Sequence, residues 1–181
     1  YDVSDGTTTT QNTATITING ANDAPTSADN TVTFTEDFTG AFSNGDFGFS
    51  DIDGDSRAHI TIRSLPDKGY LTLNGGRLLD AHLPATVDNI PTLRFVPPNN
   101  ENGDAYTSFT FTVNDGKVDS ASTYTMTIDL SARNDAPTAA DDSGSVVVGT
   151  PFSSNVLNNN MGGEDTDVDT GDTLVVTALG S

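Results

Sequence analysis

Two stretches of this chain end in the same five letters: TATITINGANDAPT at 13–26 and TMTIDLSARNDAPT at 125–138. Each reads as an apolar–Thr alternation, then a polar break, then NDAPT. A period of two marks a half-buried strand. Asn-Asp before Ala-Pro is turn chemistry, because short polar side chains bond their own backbone and Pro ends a ladder. The copies lie 112 positions apart, too far for a solenoid repeat and the right size for a β-sandwich domain. The spacing predicts a complete repeat at 22–133. The C-terminal hairpin of a preceding repeat would occupy 1–21, since YDVSDG (1–6) parallels FTVNDG (111–116). A linker and a truncated N-terminal part of a following repeat would occupy 134–181. There VVV (146–148) and LVVTAL (174–179) read as early strands without partners, frayed or completed by another molecule.

The same alternation recurs as TVTFT (31–35), HITI (59–62), YLTL (70–73), TFTV (110–113) and YTMTIDL (124–130), and the 28 Thr suit a pleated surface. LNGGR (73–77) and NDG (114–116) read as turns. No helical stripe is present. The expected fold is all-β: an antiparallel Greek-key β-sandwich, immunoglobulin- or cadherin-like, of about seven strands and set in a tandem array.

The formal net charge is −19, from 26 acidic residues of which only three are Glu. This charge opposes nucleic acid and anionic membrane as partners. Without Cys there are no disulfides or zinc-thiolate sites, so an exported domain would need another staple. No apolar run is long enough to span a membrane.

Asp is clustered. FSDIDGDS (49–56) holds Asp51, Asp53 and Asp55, and EDTDVDTGD (164–172) holds Asp165, Asp167, Asp169 and Asp172. Like charges at this spacing repel, and a divalent cation would turn that repulsion into binding. The plain reading of either loop alone is solvated surface. Neither is an EF-hand: counted from Asp51, the sixth position is Ser56 and the twelfth is Ile62. Nor does the loop repeat as a calcium β-roll does.

Along the chain the order is Asn-Asp-x-Pro, Glu36, the Asp-x-Asp-Gly loop, VNDG, then Asn-Asp-x-Pro again. This resembles the cadherin-like repeats, of VCBS and bacterial Ig-like type, found in large RTX-type bacterial surface adhesins. The resemblance implies Ca²⁺ at each junction. At the first it would be held by Asn22, Asp23, Asp51, Asp53 and Asp115. At the second it would be held by Glu36, Asn134 and Asp135, closed by Asp165 and Asp167 or by Asp167 and Asp169. Asp104 stands where cadherins carry a further acidic residue, and Asp129 could match the leading Asp of the linker. The linker is one residue shorter than the cadherin form, which suggests one or two ions per junction.

The implied role is a calcium-binding extender module, extracellular at the bacterial cell surface. Its partners would be neighbouring repeats of its own chain, with surface glycans or other cells engaged by other domains in adhesion or biofilm. The alternative is a carbohydrate- or protein-ligand-binding sandwich. For that, the stretch DFTGAFSNGDFGF (37–49) is the place to look, although its Phe residues also suit packing over a sandwich edge. No catalytic constellation surrounds His59 or His82, so no enzyme is expected.

Overall fold

The computed structural model describes residues 1–151, 153–158 and 162–177. A short hairpin, β1 (Asp2–Ser4) with β2 (Thr9–Gln11), precedes the main body. The body begins with β3 (Asn30–Thr35) and β4 (Gly40–Ala41). It continues through β5 (His59–Ile62), β6 (Tyr70–Leu73), β7 (Gly76–Arg77), β8 (Ala85–Val87) and β9 (Leu93–Val96). The long β10 (Gly103–Asn114) and β11 (Tyr124–Ser131) close it. One sheet runs β3-β11-β10-β5-β8 and the other β4-β9-β6-β7. The protein is an all-β sandwich, and its only helical pieces among the described residues are three-residue 3-10 turns.

Alternation places the core. Phe109, Phe111 and Val113 of β10 point inward, as do Met126, Ile128 and Leu130 of β11, all at most 3 % exposed. Ile60, Ile62, Leu71, Leu93 and Phe95 meet them from neighbouring strands. The Phe-rich stretch folds inward. Phe42 and Phe47 are 2 % and 1 % exposed, and Phe47 meets Phe111 edge-to-face with ring centroids 4.9 Å apart. Of that stretch, Phe38 is the ring left 54 % exposed. The LNGGR turn forms as expected between β6 and β7, with Asn74 and Gly75 at φ 52° and 81°.

One pairing departs from the antiparallel expectation. β3 runs parallel to β11, with Asn30 opposite Met126 and Thr35 opposite Ser131. Parallel neighbours cannot be joined by a hairpin, and here the rest of the domain is the connection between them. Both strands therefore cross the sandwich in the same direction. The linker before β3 and the linker after β11 lie at opposite ends.

The flanking segments depart from the expected strands. TATITI (13–18) forms no ladder. Its Ile16 and Ile18 are 84 % and 90 % exposed, while Ile128 and Leu130, which hold the matching places before the second NDAPT, are 0 % and 3 % exposed. Likewise 146–148 and 174–177 form no strand, and Ala178 and Leu179 lie outside the described residues. A strand needs a neighbouring strand for its backbone groups, and these segments pair with none among the described residues.

Phe47→Ala is expected to cost about 3–5 kcal/mol. Urea unfolding should show a lowered midpoint with an unchanged slope.

Candidate metal centres at the two linkers

The first cluster is built from three segments. In the loop after β4, Gly54 takes φ 80°, a left-handed turn that glycine adopts without steric cost. The turn folds the loop back so that Asp51 Oδ1 accepts the N–H groups of Asp53 (2.9 Å) and Asp55 (3.2 Å). Asp51, Asp53 and Asp55 then each offer a carboxylate oxygen within 4.8 Å of the others. The linker docks on this loop: Asp23 N–H donates to Asp53 Oδ2 at 2.7 Å, and Thr26 and Ser50 exchange backbone bonds. The turn after β10 completes the group. Asn22 Nδ2 donates to Asp115 Oδ2 at 2.8 Å, and Asp115 Oδ1 accepts the N–H groups of Lys117 and Val118. All five first-junction residues named from the sequence thus share one end of the sandwich.

The Asn22 amide, helped by the backbone N–H groups of Val118 and Lys117, lowers the Asp115 carboxyl from 3.8 to about 2. Asp51 Oδ2 is buried without any hydrogen-bond partner.

The second cluster repeats the same skeleton. Asn134 Nδ2 donates to Asp135 O as Asn22 Nδ2 does to Asp23 O. Asp135 N–H donates to Asp169 Oδ2 at 2.6 Å, Asp167 Oδ1 accepts Asp169 N–H, and Thr138 and Thr166 exchange backbone bonds. The hydrogen bonds therefore pair Asp167 with Asp51 and Asp169 with Asp53. Asp172 joins them, the three offering carboxylate oxygens within 4.8 Å. Asp165 is engaged elsewhere, accepting Ala140 N–H.

From the sandwich side comes Glu36, 1 % exposed. It accepts Arg133 N–H at 2.8 Å and the Asn102 amide at 3.3 and 3.4 Å. Asp135 carries the strain of this crowding. Burial raises its carboxyl above the ordinary value, and the charges of Asp37, Asp169 and Glu36 add to the effect against Arg133. Its Oδ2, like that of Asp51, is buried with no hydrogen-bond partner. A cleft of about 280 Å³ lies between Asn102, Arg133 and Asn134 on one side and Asp169 and Asp172 on the other.

Two residues named from the sequence stand apart. Asp104 is exposed on β10 and takes no part in either cluster. Asp129 accepts Ala105 N–H at 2.7 Å and pins the bulge between Gly103 and Thr107. Sequence reasoning missed Asn102 and Lys117, which lie in unremarkable turn sequences, and named Asp55 and Asp172 as cluster members without assigning them a role.

The fold and the paired clusters define a β-sandwich module with a linker at each end. A family model for the bacterial Ig domain matches residues 22–129, and the chain belongs to that family. No curated protein and no solved structure matches it. No helix among the described residues is long and apolar enough to cross a membrane.

The Asp115 value lies below the ordinary 3.8. Its contact with Asn22 therefore stabilises the fold above that pH and is lost as pH falls through about 2. Carboxyl-resolved NMR titration should find that low midpoint, and Asn22→Ala should move it up by about one pH unit.

Proposed function

We propose that this chain is a structural module of an extracellular bacterial surface protein, in which calcium at the two linkers stiffens a row of Ig-like sandwiches. The observation that carries the reading is the pair of orphaned carboxylate oxygens, Asp51 Oδ2 and Asp135 Oδ2, buried one in each cluster. An unpaired buried carboxylate oxygen is costly. A hard divalent cation that takes six to eight oxygen ligands satisfies it.

The donor sets fit such an ion. Asn22, Asp23, Asp51, Asp53, Asp55 and Asp115 supply carboxylate and amide oxygens at the first linker. Glu36, Asn134, Asp135, Asp167, Asp169 and Asp172 supply them at the second. Thiol and imidazole ligands are absent from both sets, which favours calcium over softer metals. Asp165 and Asp104 have no place in either set as the chain is folded.

The mechanism is mechanical. Without metal, carboxylates crowd each cluster. With calcium they share an ion, which holds the linker more firmly on its loop. Extracellular sites of this kind bind at roughly 10⁻⁴–10⁻³ M, so they fill outside the cell and empty where calcium is scarce. The repeated half-motifs at 1–21 and 134–181 fit a tandem array whose neighbouring repeats are the module's first partners. Adhesion, in an RTX-type adhesin or a biofilm, would then be the work of other domains held at a distance by this one. The module's own role is structural and non-catalytic. A ligand-binding role through the Phe-rich stretch has less to stand on, because Phe42 and Phe47 are core residues.

Thermal unfolding in millimolar calcium should show a higher Tm than in EDTA, with magnesium giving little of the rise. At about 100 times the dissociation constant, each independent site adds roughly 2.7 kcal/mol. Asp51→Ala with Asp53→Ala should remove the first junction's share of bound calcium and leave the sandwich folded. Unchanged calcium stoichiometry in that double variant would refute the assignment.

A further inference from the structure

The two junctions share a hydrogen-bond skeleton, and at the first a lysine lies against it. At the first, the turn NDGKV aims a lysine back over the cluster. Asp115 Oδ1 accepts the N–H groups of Lys117 and Val118, and Gly116 takes φ 94°. This geometry carries the Lys117 side chain across to the linker and the acidic loop. Its Nζ lies 2.9 Å from Asn22 Oδ1 and 2.6 Å from Asp55 Oδ2. One ammonium therefore joins three segments: the β10–β11 turn, the linker and the Asp loop.

The surrounding charge favours it. Asp55, and behind it Asp115 and Asp53, hold the Lys117 ammonium above its ordinary value. Both oxygens it touches belong to the donor set of the first junction. The second junction differs at these places. Aligning Asp167 and Asp169 with Asp51 and Asp53 puts Gly171 where Asp55 stands. Among the described residues the cation paired there is Arg133, whose Nη1 lies 3.6 Å from Asp135 Oδ1 and whose guanidinium also sits over the Phe38 ring at 5.0 Å. It joins the linker to the sandwich rather than to the Asp loop. In the N-terminal copy of the turn, where YDVSDG parallels FTVNDG, Thr7 holds the lysine's place.

We propose that Lys117 is a tethered cation that fills part of the first cluster, so that the first linker stays docked on its loop without calcium. Its competition with a metal rests on the calcium reading given above, and its hold on the linker does not. An ammonium offers three donors and no removable charge at neutral pH. It offsets the Asp55 charge and competes with a divalent ion for the Asp55 and Asn22 oxygens. The first linker would then stay docked in any medium.

Amide hydrogen exchange at Asp23 and Asp135 tests this, because their N–H groups report docking of each linker on its loop. In EDTA, the wild-type Asp23 amide should be protected, and calcium should slow it little further. Lys117→Thr should speed Asp23 exchange in EDTA by roughly fivefold, leave Ile128 unchanged as a control for folding, and bind more calcium. Lys117→Met, which keeps the aliphatic stem without the charge, should behave as Lys117→Thr. Unchanged Asp23 exchange in EDTA for Lys117→Thr, or slow exchange retained in Lys117→Met, would overturn the proposal. If calcium alters exchange at neither linker in any of the proteins, the metal reading falls, and the EDTA comparison still decides the role of Lys117.

Discussion

The parallel ladder between β3 and β11 is the constraint on which the rest of the structure depends. Six residue pairs, from Asn30–Met126 to Thr35–Ser131, hold the first and last strands of the sandwich side by side and pointing the same way. The chain thus enters at one end and leaves at the other, the geometry an end-to-end array requires. The ladder also fixes both junctions. Glu36 follows β3 by one residue and Arg133 follows β11 by two, so the buried carboxylate meets the outgoing linker's N–H at 2.8 Å. At the opposite end, Asp29 Oδ1 accepts Thr125 N–H and sets where the ladder begins. Core packing and junction chemistry are therefore one problem. Residues that alternate inward, such as Ile128 and Leu130, hold the register that aligns the acidic groups.

Each junction concentrates negative charge and leaves a carboxylate oxygen without a partner. Folded proteins rarely tolerate this unless a ligand repays it. The hydrogen bonds that shape each acidic loop and linker are local: an Asp accepting N–H groups two or four residues ahead, an Asn amide bonding the next carbonyl. They set the loop shape without an ion. A preorganised acidic loop binds a cation with less entropic loss than a flexible one. The two linkers repeat this scaffold and vary the charges upon it, with Lys117 at one end and Arg133 at the other.

Much of the fold was legible in the sequence, for a physical reason. β5 and β6 coincide with HITI and YLTL, and β3, β10 and β11 contain TVTFT, TFTV and YTMTIDL, because their apolar residues recur every second place against a single core. The short β4, β7 and β8 carry too few residues to show a period. β9, read as LRFV, differs too little from its surroundings. The parallel pairing of β3 and β11 was hidden because it joins residues nearly a hundred positions apart with no local signature. TATITI carries the alternation of a strand and forms none, because alternation describes a side-chain pattern while a strand also needs a neighbour for its backbone. Of the junction residues, Asn22, Asp23, Asp51, Asp53 and Asp115 were found from motif order. Asn102 and Lys117 were not, since a neutral amide and a lysine in turn sequences announce nothing until the fold brings them to a carboxylate.

Calcium is proposed to remove the freedom of the 134–138 linker, and backbone ¹⁵N relaxation of the intact chain tests this most directly. Order parameters for the amides of 134–138 should rise in calcium to roughly the 0.85 of rigid backbone, close to those of β10, and fall in EDTA. Values for 134–138 that stay the same in calcium and EDTA, with β10 unchanged as the internal reference, would contradict it.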